Sequence, residues 1–477
     1  MIPAASQTML KALFRDDLLR RMLRNTSYLL TGTAGVAFLG LVGLALMARA
    51  LGPEQLGILA LIQAYIAMVD RGRIECWQAL IKYGAETLEN ERYDDFKGLM
   101  KFGFLLDLGT ALFATLIAMA GLLVADWWFD WTPETIQMAG LFSLCLLFRT
   151  SSMPQAVLRL FNRFGLDAGP DVVVGILRVL LVAIAYWAEA GLWTFLLITL
   201  GTQLLSSVVQ TATGWIVLWR EGYRGVMRSS CKEIRRRFPG IWSLIWSLNA
   251  GYIMRKSTRE LDILFVGALL GPAPASLYHV AKKLGEVLML ATLPIQQAVY
   301  PELARLWARA DARRFRRTIL QIDLGSGALG AVFLPFIIVE ADLVIRLAVG
   351  GEFAAAAGPL ILQTVASCLF LFGTALTPAL YTMGMQVRFL RIITGSTICF
   401  YVALLVAVPS FGIYGAPLAH IIYNLVWLVA TRVALVQGLR RGLPGQDGTA
   451  LTEGRLQGMV GAEAHAADAA AGTGDPR

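Results

Sequence analysis

The sequence predicts an all-α polytopic membrane protein: twelve transmembrane helices in two six-helix lobes, related by a pseudo-twofold axis along the membrane normal. Three observations predict it. Of 477 residues, 57% are hydrophobic and only 16% charged, with a mean hydropathy of +0.62. Soluble domains carry about 25% charged residues and lack repeated long apolar runs. The chain also holds twelve apolar runs, each close to or beyond the roughly 20 residues that a helix needs to cross about 30 Å of hydrocarbon. Finally, basic residues alternate from loop to loop along the chain. No strand-length alternation is present, which excludes a β-barrel.

The runs are 27–50, 55–82, 98–124, 135–161, 168–190, 192–219, 241–269, 274–301, 316–340, 356–383, 389–410 and 414–437. Before the first lie Lys11, Arg15, Arg20, Arg21 and Arg24. The loop after the sixth holds Arg220, Arg224, Arg228, Lys232, Arg235, Arg236 and Arg237. Around the loop after the eighth are Arg305, Arg309, Arg313, Arg314, Arg316 and Arg317. The loops after the second, fourth and tenth runs are basic too (Lys82, Arg92, Lys97 and Lys101; Arg159 and Arg163; Arg388 and Arg391). Those after the third, fifth, seventh and eleventh have no Lys or Arg, the loop after the ninth has only Arg346, and Arg49 borders the first run. Short cytoplasmic loops hold the Lys and Arg, so both termini are expected in the cytoplasm. The net charge of +9 is then a topology signal, not a nucleic-acid footprint.

Residues 1–26 form the first segment. "MLKALFRDDLLRRMLRN" alternates Leu and Phe with basic residues at helical spacing, the pattern of a segment lying on the inner membrane face rather than a cleavable signal. The first lobe is expected over 27–219, a basic cytoplasmic linker over 220–240 and the second lobe over 241–441. A disordered cytoplasmic tail rich in Ala, Gly and acidic residues follows over 442–477. The five cysteines (Cys76, Cys145, Cys231, Cys368, Cys399) are odd in number and sit in helices or an inner loop. They suggest neither disulfides nor a metal site.

An internal repeat supports the two lobes. Gly52-Pro53 and Gly271-Pro272 are 219 residues apart, as are Gln78-Ala79 and Gln297-Ala298, and Phe96 and Phe315. "LLDLG" at Asp107 is matched by "QIDLG" at Asp323, offset by 216. Six helices per repeat give both halves one orientation. Such halves flank a central cavity and rock about a midplane site, although the arrangement does not name a cargo.

Charges inside the runs give a first indication of the cargo. In "IAMVDRGRIECWQALIKYG", Asp70, Arg71, Arg73 and Glu75 fall within six residues. In the seventh run, Arg255, Arg259 and Asp262 lie within about 60° on a helical wheel. Arg149 is expected mid-helix in the fourth run and Arg178 in the fifth, Asp107 lies in the third, and Lys282, Lys283 and Glu286 lie in the eighth. The basic residues number nine with Lys256, against Asp70, Glu75, Asp107, Asp262, Glu286 and Glu260. Each charge facing lipid at mid-depth costs roughly 2.5–3.5 kcal/mol, and nine would exceed the ~5–15 kcal/mol stability of a typical fold. They must face protein or water. Asp70–Arg73 and Arg71–Glu75 are spaced for helical pairing, and Gly72 gives that helix a place to loosen. Arg149, Arg178, Arg255 and Arg259 are left over. The surplus points to a water-filled cavity that attracts an anion, and arginine's planar fork suits phosphate. Two readings stay open for the Asp70–Glu75 cluster, structural ion pairs or substrate contact, and two for Lys282 and Lys283, cavity or snorkelling to an interface. Asp107 reads as an internal partner. His279 and His420, near helix ends, read as packed or interfacial, and "DWWFDW" as an interfacial belt.

"RNTSYLLTGTAGVAFLGLVGLALMARALGPEQLGILAL" followed by "WQALIKYGAE" resembles the start of the polysaccharide-exporter (Wzx-type) oligosaccharide flippases. "RELDILFVGALLGPAPASLYHVAKKLGEV", then "VYPELARL", resembles the opening of that family's second half, and "RLFNRFG" its hinge between helices four and five. The resemblance covers roughly 20–440. It implies the multidrug/oligosaccharidyl-lipid/polysaccharide exporter fold, a bacterial inner-membrane location, and an undecaprenyl-diphosphate-linked glycan as cargo. That cargo would pass from the inner to the outer leaflet for O-antigen, exopolysaccharide or capsule synthesis. It also implies a polysaccharide polymerase and chain-length machinery as partners, no cofactor and no enzymatic role. "DRGR" departs from a more apolar "DLG"-like break, so only Asp70 and Gly72 carry over, and roles for Arg71 and Arg73 rest on charge alone.

The alternative is a multidrug-exporter-like, cation-coupled antiporter of the same fold, which should carry an anionic cavity. A lipid II flippase of the superfamily usually has two further helices, for which these runs leave no room. A major-facilitator loop motif needs Asp-Arg-x-Gly-Arg spacing, but Gly72 directly follows Arg71. A polymerase or ligase needs a long outer loop, and the largest expected here runs from about 341 to 353. No nucleotide-binding motif is present.

Overall fold

The computed structural model describes residues 17–125, 131–258 and 260–440. Residues 1–16 of the expected interfacial segment and the tail from 441 lie outside the described residues. The described chain is helical, with no strand among the described residues. In order the helices are α1 (Asp17–Arg71), α2 (Trp77–Glu89), α3 (Tyr93–Leu122), α4 (Pro133–Ser143), α5 (Ser152–Leu160), α6 (Phe164–Trp187), α7 (Leu192–Arg220), α8 (Ile241–Ser257), α9 (Leu261–Leu270), α10 (Pro272–Gly285), α11 (Thr292–Ala308), α12 (Ala312–Val349), α13 (Ala357–Leu371), α14 (Leu376–Thr382), α15 (Gln386–Phe411) and α16 (Gly415–Arg440).

Eight helical stretches are long and apolar enough to cross a membrane. The seventh and eighth sequence runs are not among them, because each is divided: α8 stops at Ser257 before α9, and a 3₁₀ segment, Glu286–Ala291, parts α10 from α11. The large apolar side chains left exposed, such as Leu123, Val332 and Val339, fit faces turned to lipid. Two loop expectations change. Residues 341–353 are largely not an open loop, since α12 runs on to Val349 and a 3₁₀ turn starts at Gly351. Trp131 of "DWWFDW" is 4% exposed and packs edge-on against Tyr65 at 5.8 Å, so it belongs to the core rather than a belt. Residues 126–130 of that motif lie outside the described residues.

The breaks in the helices have identifiable causes. Gly52 (φ 67, ψ 179) and Gly271 (φ 90, ψ 179) hold the same backbone conformation, one open only to glycine, at corresponding points of the repeat. The matched aspartates also do matched work. Asp107 of α3 accepts the backbone N–H of Ser152 (2.7 Å) and Met153 (3.3 Å), where the α4–α5 rod is interrupted. Asp323 of α12 accepts the N–H of Ala375 (2.8 Å), where α13 gives way to α14. Each acid satisfies N–H groups that an uninterrupted helix would have paired.

The two halves of the chain touch most closely along α1 and α10. A Cβ on Gly57 would lie 2.0 Å from the Pro272 carbonyl oxygen, and one on Gly267 2.1 Å from Leu61. Helices in lipid associate through such small-residue contacts because burial from lipid supplies no hydrophobic drive. Gly57→Ala is therefore expected to destabilise by about 1–3 kcal/mol or more, while Gly109→Ala, where nothing lies within 4 Å, should be near neutral. Thermal unfolding of the detergent-solubilised protein checks both, and equal melting temperatures would refute the contact.

Candidate functional site

A cavity of about 1480 Å³ is lined by both halves of the chain. The first half contributes Arg149, Asp171, Arg178, Thr199, Thr202, Gln203 and Ser206, with small residues of α1 such as Ala37 and Gly40. The second contributes Glu260, His279, Lys282, Lys283, Glu286, Gln296, Gln363, His420, Tyr423 and Asn424. α6 can approach α1 because Gly175 faces Leu39, at 3.1 Å from an ideal Cβ, and this places Arg178 on the cavity wall.

The helix break at Gly72 is real. α1 ends at Arg71 and α2 starts at Trp77, so the helical spacing assumed for Arg71 and Glu75 does not exist. Arg71 instead pairs with Glu260 across the halves at 3.3 Å. Glu75 is held through its backbone: its N–H donates to Asn249 Oδ1 and its carbonyl accepts from Asn249 Nδ2, both at 2.8 Å. The expected Asp70–Arg73 pair forms, with Nε to Oδ1 at 2.8 Å. Asp70 also takes Arg149 at 3.1 Å, and Arg73 donates to the Arg149 carbonyl. Arg149 is thus not mid-helix. It sits in the interruption between α4 and α5, and Asp70 ties that interruption to the one in the second sequence run.

The second half holds a network that the sequence did not reveal. Asp262 is 0% exposed. Its two carboxylate oxygens lie 2.9 and 2.8 Å from the Lys282 ammonium, and its Oδ2 also meets Tyr278 Oη (2.5 Å) and His420 Nε2 (2.8 Å). Lys282 is 2% exposed, so it neither snorkels nor stands free in the cavity. Both histidines line the cavity, but His420 is a partner of Asp262 rather than a helix-end packing residue. The wheel that grouped Asp262 with Arg255 and Arg259 fails, because α8 ends at Ser257 and α9 begins a new register at Leu261. Arg255 lies in α8 with its side chain outside the description, and Arg259 lies outside the described residues.

Of the nine basic residues counted in the sequence, Arg71, Arg73, Arg149 and Lys282 are paired with carboxylates. Among the described residues, Arg178 and Lys283 line the cavity without a carboxylate partner. Arg178 Nε, Thr199 Oγ1, His279 Nδ1 and Gln363 Oε1 are buried and have no hydrogen-bond partner among the described residues. Each such group costs about 1–3 kcal/mol if left unsatisfied, so a cavity that keeps several is built to receive polar matter. Sequence reasoning passed over Asp171, Thr199 and Gln363. For Asp171 the signal was available, a carboxylate seven residues before Arg178 in one apolar run. Neutral Thr199 and Gln363 carry none.

The description "polysaccharide biosynthesis protein" fits the family that matches residues 22–307. The inner membrane protein YghQ of Escherichia coli (strain K12) is 24% identical over 347 residues, which are 72% of this chain and 97% of that protein. Among solved structures, the lipid II flippase MurJ in an inward closed conformation superposes with a TM-score of 0.66 at 11% identity, covering 86% of this chain and 88% of that one. A multidrug resistance MATE family transporter in its inward-facing conformation gives 0.58 at 16% identity, covering 87% and 94%. These likenesses establish a fold shared with both kinds of transporter.

Proposed function

From the premise that this chain belongs to the polysaccharide biosynthesis protein family, we propose that it is a flippase. It carries an undecaprenyl-diphosphate-linked oligosaccharide from the inner to the outer leaflet of the bacterial inner membrane by alternating access. The observation that carries this reading is the cavity between the two halves, where Arg178 and Lys283 present positive charge with no carboxylate partner among the described residues. A diphosphate supplies the missing counter-charge, and a guanidinium can hold two of its oxygens at once. The polar lining substitutes for water around the sugars, while the prenyl chain stays in lipid. The halves 27–219 and 241–441 act as the rocking bodies, with both termini cytoplasmic. Arg149 serves through Asp70, holding two helix interruptions at the cavity edge. Arg255 and Arg259 remain candidates for further contact with the diphosphate.

Cells lacking the gene should accumulate a complete lipid-linked oligosaccharide in the inner leaflet, as read with an impermeant probe on spheroplasts, and should lose surface polysaccharide. Complementation with Arg178→Ala is expected to restore less than about a tenth of parental transport, since one lost charge-assisted contact is worth about 1.5–3 kcal/mol. Normal lipid intermediates would overturn the reading. Asp171, Glu260 and Glu286 also line the cavity, and this favours the second reading, a cation-coupled antiporter. Gene loss that sensitises cells to cationic compounds while leaving lipid-linked glycans unchanged would select it.

A further inference from the structure

We infer that the cavity divides its cargo between its two halves. The diphosphate docks on the first-half wall at Arg178 and Thr199, and the glycan docks on the second-half wall at Gln363. The division rests on the flippase reading above and goes further, since that reading requires only that the cargo enter the cavity.

The argument begins with the unsatisfied polar atoms. Thr199 is 4% exposed and Gln363 is 2% exposed, yet Thr199 Oγ1 and Gln363 Oε1 have no hydrogen-bond partner among the described residues. The same holds for Arg178 Nε and His279 Nδ1, and all four residues line the one cavity. Native interiors leave few buried polar groups unpaired. Their chemistry differs by half. Arg178 Nε–H only donates and the Thr199 hydroxyl can donate, and the oxygens of an ionised diphosphate only accept. Gln363 Oε1 only accepts. A diphosphate has no proton to give it, whereas every sugar hydroxyl does. His279 Nδ1 can serve a hydroxyl in either tautomer.

Charge points the same way. On the second-half wall, Glu286 offsets Lys283 in formal charge, and Glu260 is engaged by Arg71. On the first-half wall, Asp171 already accepts the Ser206 hydroxyl at 2.6 Å. It lies seven residues from Arg178 on α6, roughly 10 Å along the axis, too far for a direct pair. Among the described residues the cavity's arginines all lie on the first-half wall, where Arg149 is held by Asp70, so Arg178 is the guanidinium placed to take two diphosphate oxygens at once.

The test measures binding of two probes to the purified full-length protein in nanodiscs: undecaprenyl diphosphate, and undecaprenyl-diphosphate N-acetylglucosamine. Arg178→Gln and Thr199→Val should each weaken both probes about tenfold, the equivalent of one lost hydrogen bond to a charged group. Gln363→Leu should weaken only the glycosylated probe, leaving undecaprenyl diphosphate within about twofold, inside the tenfold scale of a single bond. Gln363→Met repeats the test if the leucine variant does not fold. A Gln363 change that weakens both probes alike, or neither, overturns the division. If the parental protein binds neither probe, the flippase reading falls with it.

Discussion

Asp262→Ala is expected to destabilise the fold by about 3–5 kcal/mol, the usual result of stranding one member of a buried ion pair. The Lys282 ammonium loses both carboxylate oxygens of Asp262, at 2.9 and 2.8 Å, in a position only 2% exposed. Tyr278 and His420 lose their shared partner in the same step. Lys282→Met should be milder, because Tyr278 and His420 continue to solvate the carboxylate. Asp262→Leu combined with Lys282→Met should recover most of the loss, since removing both charges also removes the desolvation penalty that each carried. Thermal unfolding in detergent, with monodisperse elution as a control, reads all three. A double variant as unstable as the sum of the singles would show that the pair is not the unit. The same result governs how transport data are interpreted: a Lys282 variant that fails to transport is read beside its melting temperature, because Lys282 of α10 joins Asp262 of α9, which also holds His420 of α16.

Asp107→Ala and Asp323→Ala should produce parallel losses in opposite halves. Asp107→Ala orphans the Ser152 and Met153 N–H groups, and Asp323→Ala orphans that of Ala375. At about 1–3 kcal/mol for each buried unsatisfied group, the first change should be the more damaging through the backbone alone. The second also frees the Arg432 guanidinium, which lies 2.7 Å from the Asp323 carboxylate. The asparagine variants keep one acceptor oxygen and should fall between parent and alanine. Melting temperatures check the order. If alanine at either position leaves the melting temperature unchanged, the interruption in that half is held by something else.

The sequence was most informative where local chemistry decides structure. Glycine at 52 and 271 marked two points that need a backbone closed to other residues, and both have it. Gly72 marked a helix end, and the helix stops one residue before it. The 216-residue offset between Asp107 and Asp323 foretold a shared structural job without revealing which job it was. What could not be read was anything fixed by contacts between distant segments. Asp262 and Lys282 are twenty positions apart on separate helices, and Asp262 and His420 are 158 apart. A helical wheel sees neither relation, and it misled at Ser257, where the register restarts. Counting charges listed Glu260 among the acids without its partner, because the pairing with Arg71 forms only once the halves come together.

The basic stretch after α7 has a bearing on where the molecule could be severed. Val226, Ile234 and Phe238 are buried in the same cluster as Leu80, Phe96 and Met153, and Ile241 and Ile245 of α8 join them. Tyr83 donates to the Pro239 carbonyl at 2.7 Å, and Arg237 pairs with Asp95 at 2.9 Å. The stretch is therefore upholstery of the first half and not a slack cord between two bodies. A gene cut inside it and expressed as two pieces would tear the first piece's interior open, although the cut falls between apolar runs. The seam at which each fragment keeps its own interior lies downstream, past Asn249, whose side chain holds the Glu75 backbone.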